Sequence, residues 1–209
     1  MVTKFDFDHQ ETWPFQMRER QSPIAIQTKD IISDSSLGAM NLQYSGQARK
    51  VVDTGMGIQG ELTGTALINH RLFELQQFHF HAPAEHTIDD VHYDAELHLV
   101  HKRKVGSFAV VAVFFQVGAA NAAFDKVLDH LGDDAEFTFD LLQLVPNDLA
   151  YYHYLGSLTT PPLSENVEWY ILPAPLTLSQ AQLDRFHEIY PRNNRDIQPT
   201  FERSIVKPG

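Results

Sequence analysis

Two short segments of alternating polar and apolar residues, 77–81 (Gln-Phe-His-Phe-His) and 96–100 (Glu-Leu-His-Leu-Val), constrain this chain more than any other feature. Residues two apart on a β-strand point to the same face of a sheet. His79 and His81 therefore share one face, and His98 repeats the pattern in the second segment. If the two strands lie side by side, the three imidazoles converge, with the polar residues Gln77 and Glu96 beside them.

Three neutral nitrogen ligands and one open position are typical of a catalytic zinc site, whereas structural zinc sites are closed by four protein ligands, usually with Cys. The chain has no Cys, which excludes a Cys-based site. A single His-x-His pair would be a weak signal. The alternative, a satisfied polar cluster without metal, explains poorly why three histidines with polar companions lie on apolar-flanked strands.

Composition limits the partners. The chain has 209 residues, 43% of them hydrophobic, and a formal net charge of −11. That length predicts a single domain, 1–209, with a core large enough to fold without disulfides. The acidic balance argues against nucleic acid and anionic membranes as partners.

The start of the chain lacks the apolar segment of a secretory signal, and no stretch has the length needed to span a bilayer. We therefore expect a cytoplasmic protein with no membrane association. A periplasmic or secreted location is expected instead if a signal was removed before this numbering begins.

Four apolar runs that end at turn residues predict strands at 72–81, 95–101, 108–117 and 167–172. The glycines at positions 55, 57, 60 and 64 are expected to break up the stretch before the first of them. Nothing alternates in a βαβ pattern. The predicted fold class is therefore mainly β (α+β), with a largely antiparallel sheet and peripheral helices.

Two helices are predicted. In the first, Phe124, Val127, Leu128 and Leu131 have the i, i+3, i+4, i+7 spacing of one apolar face. The second begins at a Ser-x-x-Gln capping box, with Ser179 as the N-cap, and ends before a proline.

Several motifs together resemble one family, the α-class carbonic anhydrases of bacterial type. They span roughly residues 5–205 and are 20–24 (RQSPI), 78–87 (FHFHAPAEHT), 96–102 (ELHLVHK), 156–162 (GSLTTPP) and 193–195 (NNR). The resemblance implies a twisted sheet of about ten strands with zinc at the floor of a conical cleft. It also implies reversible hydration of CO2 to bicarbonate and a proton through zinc-bound hydroxide.

The resemblance assigns roles by position. It implies that His79, His81 and His98 are the zinc ligands. Gln77, Glu96 and the backbone carbonyl of Asn193 would orient them. Thr159 would accept a hydrogen bond from the nucleophile and donate one to ionised Glu85. The remaining implied residues form the wall for CO2 and its polar side: Val100, Val110, Leu158, Trp169 and Thr160.

The chain departs from the family at one functional position. Where the family has an Asn-Gly-His stretch whose histidine shuttles protons, residues 53–59 read Asp-Thr-Gly-Met-Gly-Ile-Gln. Met56 therefore stands at the shuttle position, and a thioether cannot titrate.

The expected partners are CO2 and bicarbonate, with anions or sulfonamides as inhibitors and a homodimer as a possible assembly. Two alternatives stay open. One is a non-catalytic, carbonic-anhydrase-like binding domain, although such relatives typically lose a zinc histidine. The other is an unrelated zinc hydrolase, which would need a general base where this chain has apolar residues.

Overall fold

The structure, a computed structural model, describes residues 2–13, 19–133 and 135–209. The strands in these residues are β1 (Ala25–Ile26), β2 (Ile32–Asp34), β3 (Met40–Asp53), β4 (Ile58–Ile68), β5 (Arg71–His81), β6 (Thr87–Ile88), β7 (Val91–His92), β8 (Ala95–Lys102), β9 (Phe108–Val117), β10 (Phe137–Thr138), β11 (Tyr152–Ser157), β12 (Glu165–Leu178) and β13 (Val206–Pro208). The α-helices are α1 (Ala122–Asp129) and α2 (Gln180–Ile189).

Ten of these strands form one central sheet in the order β10-β3-β4-β5-β8-β9-β12-β11-β13-β2. Neighbours are antiparallel except where β12 pairs with β9 and β13 with β2. Strands β1, β6 and β7 form a small second sheet. The predicted mainly-β fold, with about ten strands and peripheral helices, is confirmed. Among the described residues, no helix has the length and apolar character needed to cross a membrane.

The two histidine segments lie next to each other near the middle of the sheet. Strands β5 and β8 are antiparallel, and their register places His79 opposite His98 and His81 opposite Glu96. Paired residues in an antiparallel sheet point to the same face. The alternation in the sequence therefore brings all three histidines to one face.

Both faces of this part of the sheet are covered. Phe78, Phe80 and Leu97 point into a core that includes the apolar residues of α1 and α2. The opposite face carries a smaller apolar cluster that includes Val100, Val110, Ala112, Phe114 and Trp169. His98 pairs with Ala112 of β9 and therefore lies within this second, otherwise apolar face.

The helix predictions are confirmed with one correction. The Ser179–Gln182 capping box forms, with both of its hydrogen bonds present, and α2 begins directly after it. Helix α1 ends at Asp129, so Leu131 lies beyond it and forms a parallel bridge with Val51 instead.

Two of the glycines expected to break up the chain lie inside β4. A Cβ on Gly60 would be 2.1 Å from the Phe78 ring, and one on Gly64 would be 2.4 Å from the Tyr44 ring. These aromatic rings occupy the space that a side chain would need. Strand β4 continues through both glycines, so the expected break in the strand is wrong, although its pairing with β5 shifts register between Gly60 and Thr65.

Candidate metal centre

Each of the three histidines has one ring nitrogen engaged by a fixed partner. His79 Nδ1 lies 2.9 Å from Gln77 Oε1, and His81 Nδ1 lies 2.6 Å from the carbonyl oxygen of Asn193. His98 Nε2 lies 2.8 Å from a carboxylate oxygen of Glu96. Because an amide, carbonyl or carboxylate oxygen only accepts here, each engaged nitrogen is the N–H donor, and in the neutral imidazole the other nitrogen carries the lone pair.

The free nitrogens are therefore Nε2 of His79, Nε2 of His81 and Nδ1 of His98. The three residues place ligand atoms within 4.8 Å of one another. Nε2 of His81 is fully buried and has no hydrogen-bond partner among the described residues. A buried polar atom without a partner is costly, and a metal ion bound by the three nitrogens would satisfy it. The residues present thus fit a three-histidine metal site.

Burial keeps His79 and His81 neutral. Desolvation lowers the pKa of His79 well below its usual range, and the neighbouring imidazoles of His81 and His98 lower it further. Desolvation also lowers the pKa of His81, more strongly than the nearby carboxylate of Glu85 raises it. Metal ligation requires the neutral imidazole. Both groups are therefore in the ligating form at neutral pH.

Glu96 lies behind the ligands and accepts four hydrogen bonds. One carboxylate oxygen accepts from His98 Nε2 and from His86 Nδ1, at 2.8 and 2.7 Å. The other accepts from the backbone N–H groups of Glu85 and His86, both at 2.8 Å. Desolvation raises the pKa of Glu96, but the two histidines and their hydrogen bonds outweigh it and hold the pKa well below its usual range. Glu96 is thus an ionised carboxylate with its acceptor sites filled.

Glu85 and Thr159 are both buried beside the ligands, with 1% and 4% of their surface exposed. The backbone N–H of Arg195 donates to Glu85 Oε1 at 2.7 Å. Glu85 Oε2 has no hydrogen-bond partner among the described residues. This second oxygen is available as an acceptor, and the hydrogen bond from Thr159 to Glu85 stays a prediction.

A cleft of about 270 Å³ opens over His79 and His98. All five residues predicted for the substrate wall and its polar side line this cleft: Val100, Val110, Leu158, Thr160 and Trp169. The Trp169 ring packs against His98, with ring centroids 4.8 Å apart, and its Nε1–H donates to the carbonyl of Ser157. This wall gives the metal site an apolar side.

Sequence reasoning missed three residues of the cleft: Gln76, Lys102 and Phe108. The alternation along β8 that placed His98 and Val100 on one face also places Lys102 there. Phe108 is the partner of Lys102 on β9. The signal was present, but it could be used only once the pairing of β8 with β9 was known.

Met56 lies in the turn between β3 and β4, half-buried and outside the set of residues that line the cleft. The side-chain amide of Asn193 donates to its carbonyl oxygen at 3.3 Å. The same amide also donates to Phe80 O at 2.8 Å, and its oxygen accepts from Ala82 N at 2.9 Å. Asn193 therefore joins the Met56 turn to the end of β5.

A larger open groove of about 1270 Å³ lies elsewhere, lined by residues such as Arg71, His153 and Glu168. Among the described residues, the histidine clusters that could hold a metal are confined to the site on β5 and β8 and its Glu96 network. The smaller cleft, which lies over these histidines, is therefore the candidate functional site.

Known proteins resemble this chain over most of its length. A model of the eukaryotic-type carbonic anhydrase family matches residues 8–208. A carbonic anhydrase of Klebsiella pneumoniae is 41% identical over 198 residues, which cover 90% of this chain and 79% of that protein.

Solved structures agree. The α-carbonic anhydrase of Thermovibrio ammonificans, determined with the inhibitor sulfanilamide, superposes with a TM-score of 0.85 at 36% identity, covering 90% of this chain and 87% of that one. Carbonic anhydrase Cah3 of Chlamydomonas reinhardtii, in complex with acetazolamide, has a TM-score of 0.82 at 31% identity, with 90% of each chain covered.

Proposed function

The chain belongs to the eukaryotic-type, or α-class, carbonic anhydrase family, and on that premise we propose that it binds one zinc ion through His79, His81 and His98 and works without a proton-shuttle histidine. It is a carbonic anhydrase, an enzyme that interconverts CO2 and bicarbonate. The observation that carries the metal proposal is the set of three imidazoles whose outer nitrogens are all engaged and whose inner nitrogens converge.

Zinc fits this donor set because it takes three histidine nitrogens and keeps a fourth position open in catalytic sites. Bound there, it lowers the pKa of a water molecule to near 7 and so supplies the nucleophile, a value for which carbonic anhydrase is itself the reference case. The two ligands on β5 present Nε2 and the ligand on β8 presents Nδ1. This arrangement is fixed by Gln77, Asn193 and Glu96, which act as the orienting partners.

The apolar wall holds the substrate. CO2 has no net dipole and no hydrogen to donate, so it gains little from polar groups. Val100, Val110, Leu158 and Trp169 offer it a dry surface next to the ligands. Thr160 lies on the polar side of the cleft.

We assign the orienting hydroxyl to Thr159. A hydroxyl has one proton to donate. The unpaired Oε2 of buried Glu85 is the acceptor that we propose for this proton. With that hydrogen bond made, the Thr159 oxygen accepts from the nucleophile and fixes its direction toward CO2, which is a positioning effect.

Each hydration cycle releases one proton that must leave the cleft. Apart from the histidines of the metal site, Lys102 is the only ionisable side chain among the described residues that line the cleft. An ammonium group donates hydrogen bonds but has no lone pair to accept the released proton. Proton transfer therefore runs through water directly to dissolved buffer, and it limits turnover when buffer is dilute.

The test is stopped-flow CO2 hydration by the zinc-loaded protein over increasing imidazole at fixed pH and ionic strength. Turnover should rise with imidazole. A Met56→His variant should raise turnover at low buffer and flatten this dependence, whereas Met56→Gln, which cannot titrate, should behave like the wild type. High turnover that does not depend on buffer in the wild type would refute the missing shuttle.

The same experiment separates the enzyme from its alternative. A zinc-loaded protein with no hydration activity would be a non-catalytic binding domain. The relatives solved with sulfanilamide and acetazolamide support a further expectation, that sulfonamides bind this cleft and inhibit the reaction. Zinc-dependent binding of sulfanilamide tests that expectation directly.

A further inference from the structure

The cleft has one cation at its mouth. Lys102 is the last residue of β8 and lies two positions beyond Val100, on the same face as His98. Its side chain is exposed and lines the cleft beside Gln76 and Phe108. The cleft therefore ends at an ammonium group.

A cation–π contact holds this side chain at the cleft. The Lys102 ammonium lies 5.1 Å from the centroid of the Phe108 ring. Glu74 is the strand partner of Lys102 on β5 and is the acidic group most directly opposed to it. The two side chains form no ion pair, and no other described carboxylate pairs with Lys102. Among the described residues, its charge therefore has no ion-pair partner.

The net charge of the protein has the sign opposite to that of the Lys102 ammonium. With a net charge of −11, the protein as a whole repels anions. Bicarbonate, one of the two substrates of the reaction, is an anion. We propose that Lys102 is a specificity-determining residue that makes the cleft mouth favour anionic ligands, from bicarbonate to benzenesulfonamides with a negatively charged tail. This inference rests on the proposed zinc site.

The distance sets the size of the effect. Lys102 lies four positions along the strand from His98, or about 13 Å between Cα atoms, and the lysine stem can lean toward the ligand. A ligand charge about 8 Å from the ammonium, at an effective dielectric constant of about 60, changes affinity about three-fold. Salt should remove most of this effect, because the Debye length is about 10 Å at 0.1 M and about 3 Å at 1 M.

Activity cannot isolate this effect, because the equilibrium constant of the reaction fixes the ratio of kcat/KM in the two directions at any given pH. Binding can isolate it. The probes are 4-carboxybenzenesulfonamide and 4-carbamoylbenzenesulfonamide, which carry the same metal-binding group and differ in tail charge. The ratio of their Kd values for the zinc-loaded protein, measured by calorimetry at low ionic strength, reports the tail charge alone.

Lys102→Gln should shift this ratio about three-fold against the carboxylate, and Lys102→Arg should leave it unchanged. Lys104→Gln is the matched control, since it removes the same charge from an exposed residue two positions along that does not line the cleft. It should also leave the ratio unchanged. In 1 M salt the wild type and Lys102→Gln should have the same ratio.

Two failures have different meanings. If both sulfonamides bind and Lys102→Gln has the wild-type ratio, or if Lys104→Gln shifts it equally, the role of Lys102 is refuted and the zinc site stands. If neither sulfonamide binds the zinc-loaded wild type, the metal site is refuted, and this inference is refuted with it.

Discussion

Replacing Glu96 by glutamine changes one atom and should weaken both the fold and the metal site. The two oxygens of Glu96 accept four hydrogen bonds at 2.7–2.8 Å, two from imidazoles and two from backbone N–H groups. A glutamine has only one acceptor oxygen. Whichever way its amide is turned, two donors lose their acceptor and face an NH2 group.

The loss of unfolding free energy follows from the number of donors that lose their acceptor. Glu96 is fully buried, so no water can replace the lost acceptor. An unsatisfied buried donor costs about 1–3 kcal/mol, which gives about 2–6 kcal/mol for two of them. The unfolding free energy of an ordinary domain is about 5–15 kcal/mol, so the loss is a large part of the total. Because His98 loses its orienting carboxylate, zinc affinity should also fall about 10–100-fold.

Two measurements check this prediction. Urea unfolding with a chelator present gives the stability of the metal-free protein, since bound metal would otherwise add its own stabilisation. Competition with a chromophoric chelator gives the Kd for zinc. Glu74→Gln, an exposed change on β5, is the control and should stay within about 0.5 kcal/mol of the wild type. If the unfolding free energy of Glu96→Gln also stays within about 0.5 kcal/mol of the wild type, Glu96 does not accept the four hydrogen bonds described above.

Three further predictions follow from packing, capping and protonation. Gly60→Ala should lower the unfolding free energy by about 1–3 kcal/mol because its Cβ would meet the Phe78 ring. The double variant with Phe78→Leu should lose less unfolding free energy than the sum of the two single changes. Urea denaturation of the wild type, the two single variants and the double variant checks this. Ser179→Ala should cost about 1 kcal/mol by removing the capping box of α2, and an unfolding midpoint that Ser179→Asn restores would confirm the cap. Burial lowers the pKa of His101 to about 4 from 6.5, so the unfolded chain binds this proton more readily, and stability is lost as pH falls from about 6.5 toward 4. That loss of unfolding free energy should reach about 3 kcal/mol for this group and should be smaller in His101→Gln. Unfolding of the metal-free protein at several pH values measures it. The same dependence of unfolding free energy on pH in the wild type and in His101→Gln would contradict the prediction.

The sequence was sufficient where the signal is local. Alternation with a period of two placed His79 and His81 on one face and predicted that His98 joins them if the two strands are neighbours, and the capping box located the start of α2. The strand segments around the histidines were predicted to within one residue at each end, β5 being Arg71–His81 and β8 Ala95–Lys102. These features depend on residues close together in the chain.

Features that depend on distant residues were not accessible in this way. The role of Asn193 was available only through family resemblance, since it contacts the end of β5 from more than 100 positions away. Whether Gly60 breaks a strand or continues it depends on the Phe78 ring of the neighbouring strand. The parallel pairing of β12 with β9 has no local signature either, because both strands have apolar runs that would suit a partner of either direction.

Glu96 shows why the site and the fold are hard to separate in this protein. Its side chain begins on β8, orients His98 through one oxygen, and holds the backbone of Glu85 and His86 through the other. Glu85 carries the unpaired oxygen that we propose as the acceptor for the Thr159 hydroxyl. The position of that oxygen and the orientation of a metal ligand therefore depend on the same carboxylate. If so, Glu96→Gln should impair CO2 hydration even when zinc is supplied in excess, beyond the loss that zinc occupancy accounts for. Full recovery of the hydration rate at saturating zinc would mean that Glu85 is positioned independently of Glu96.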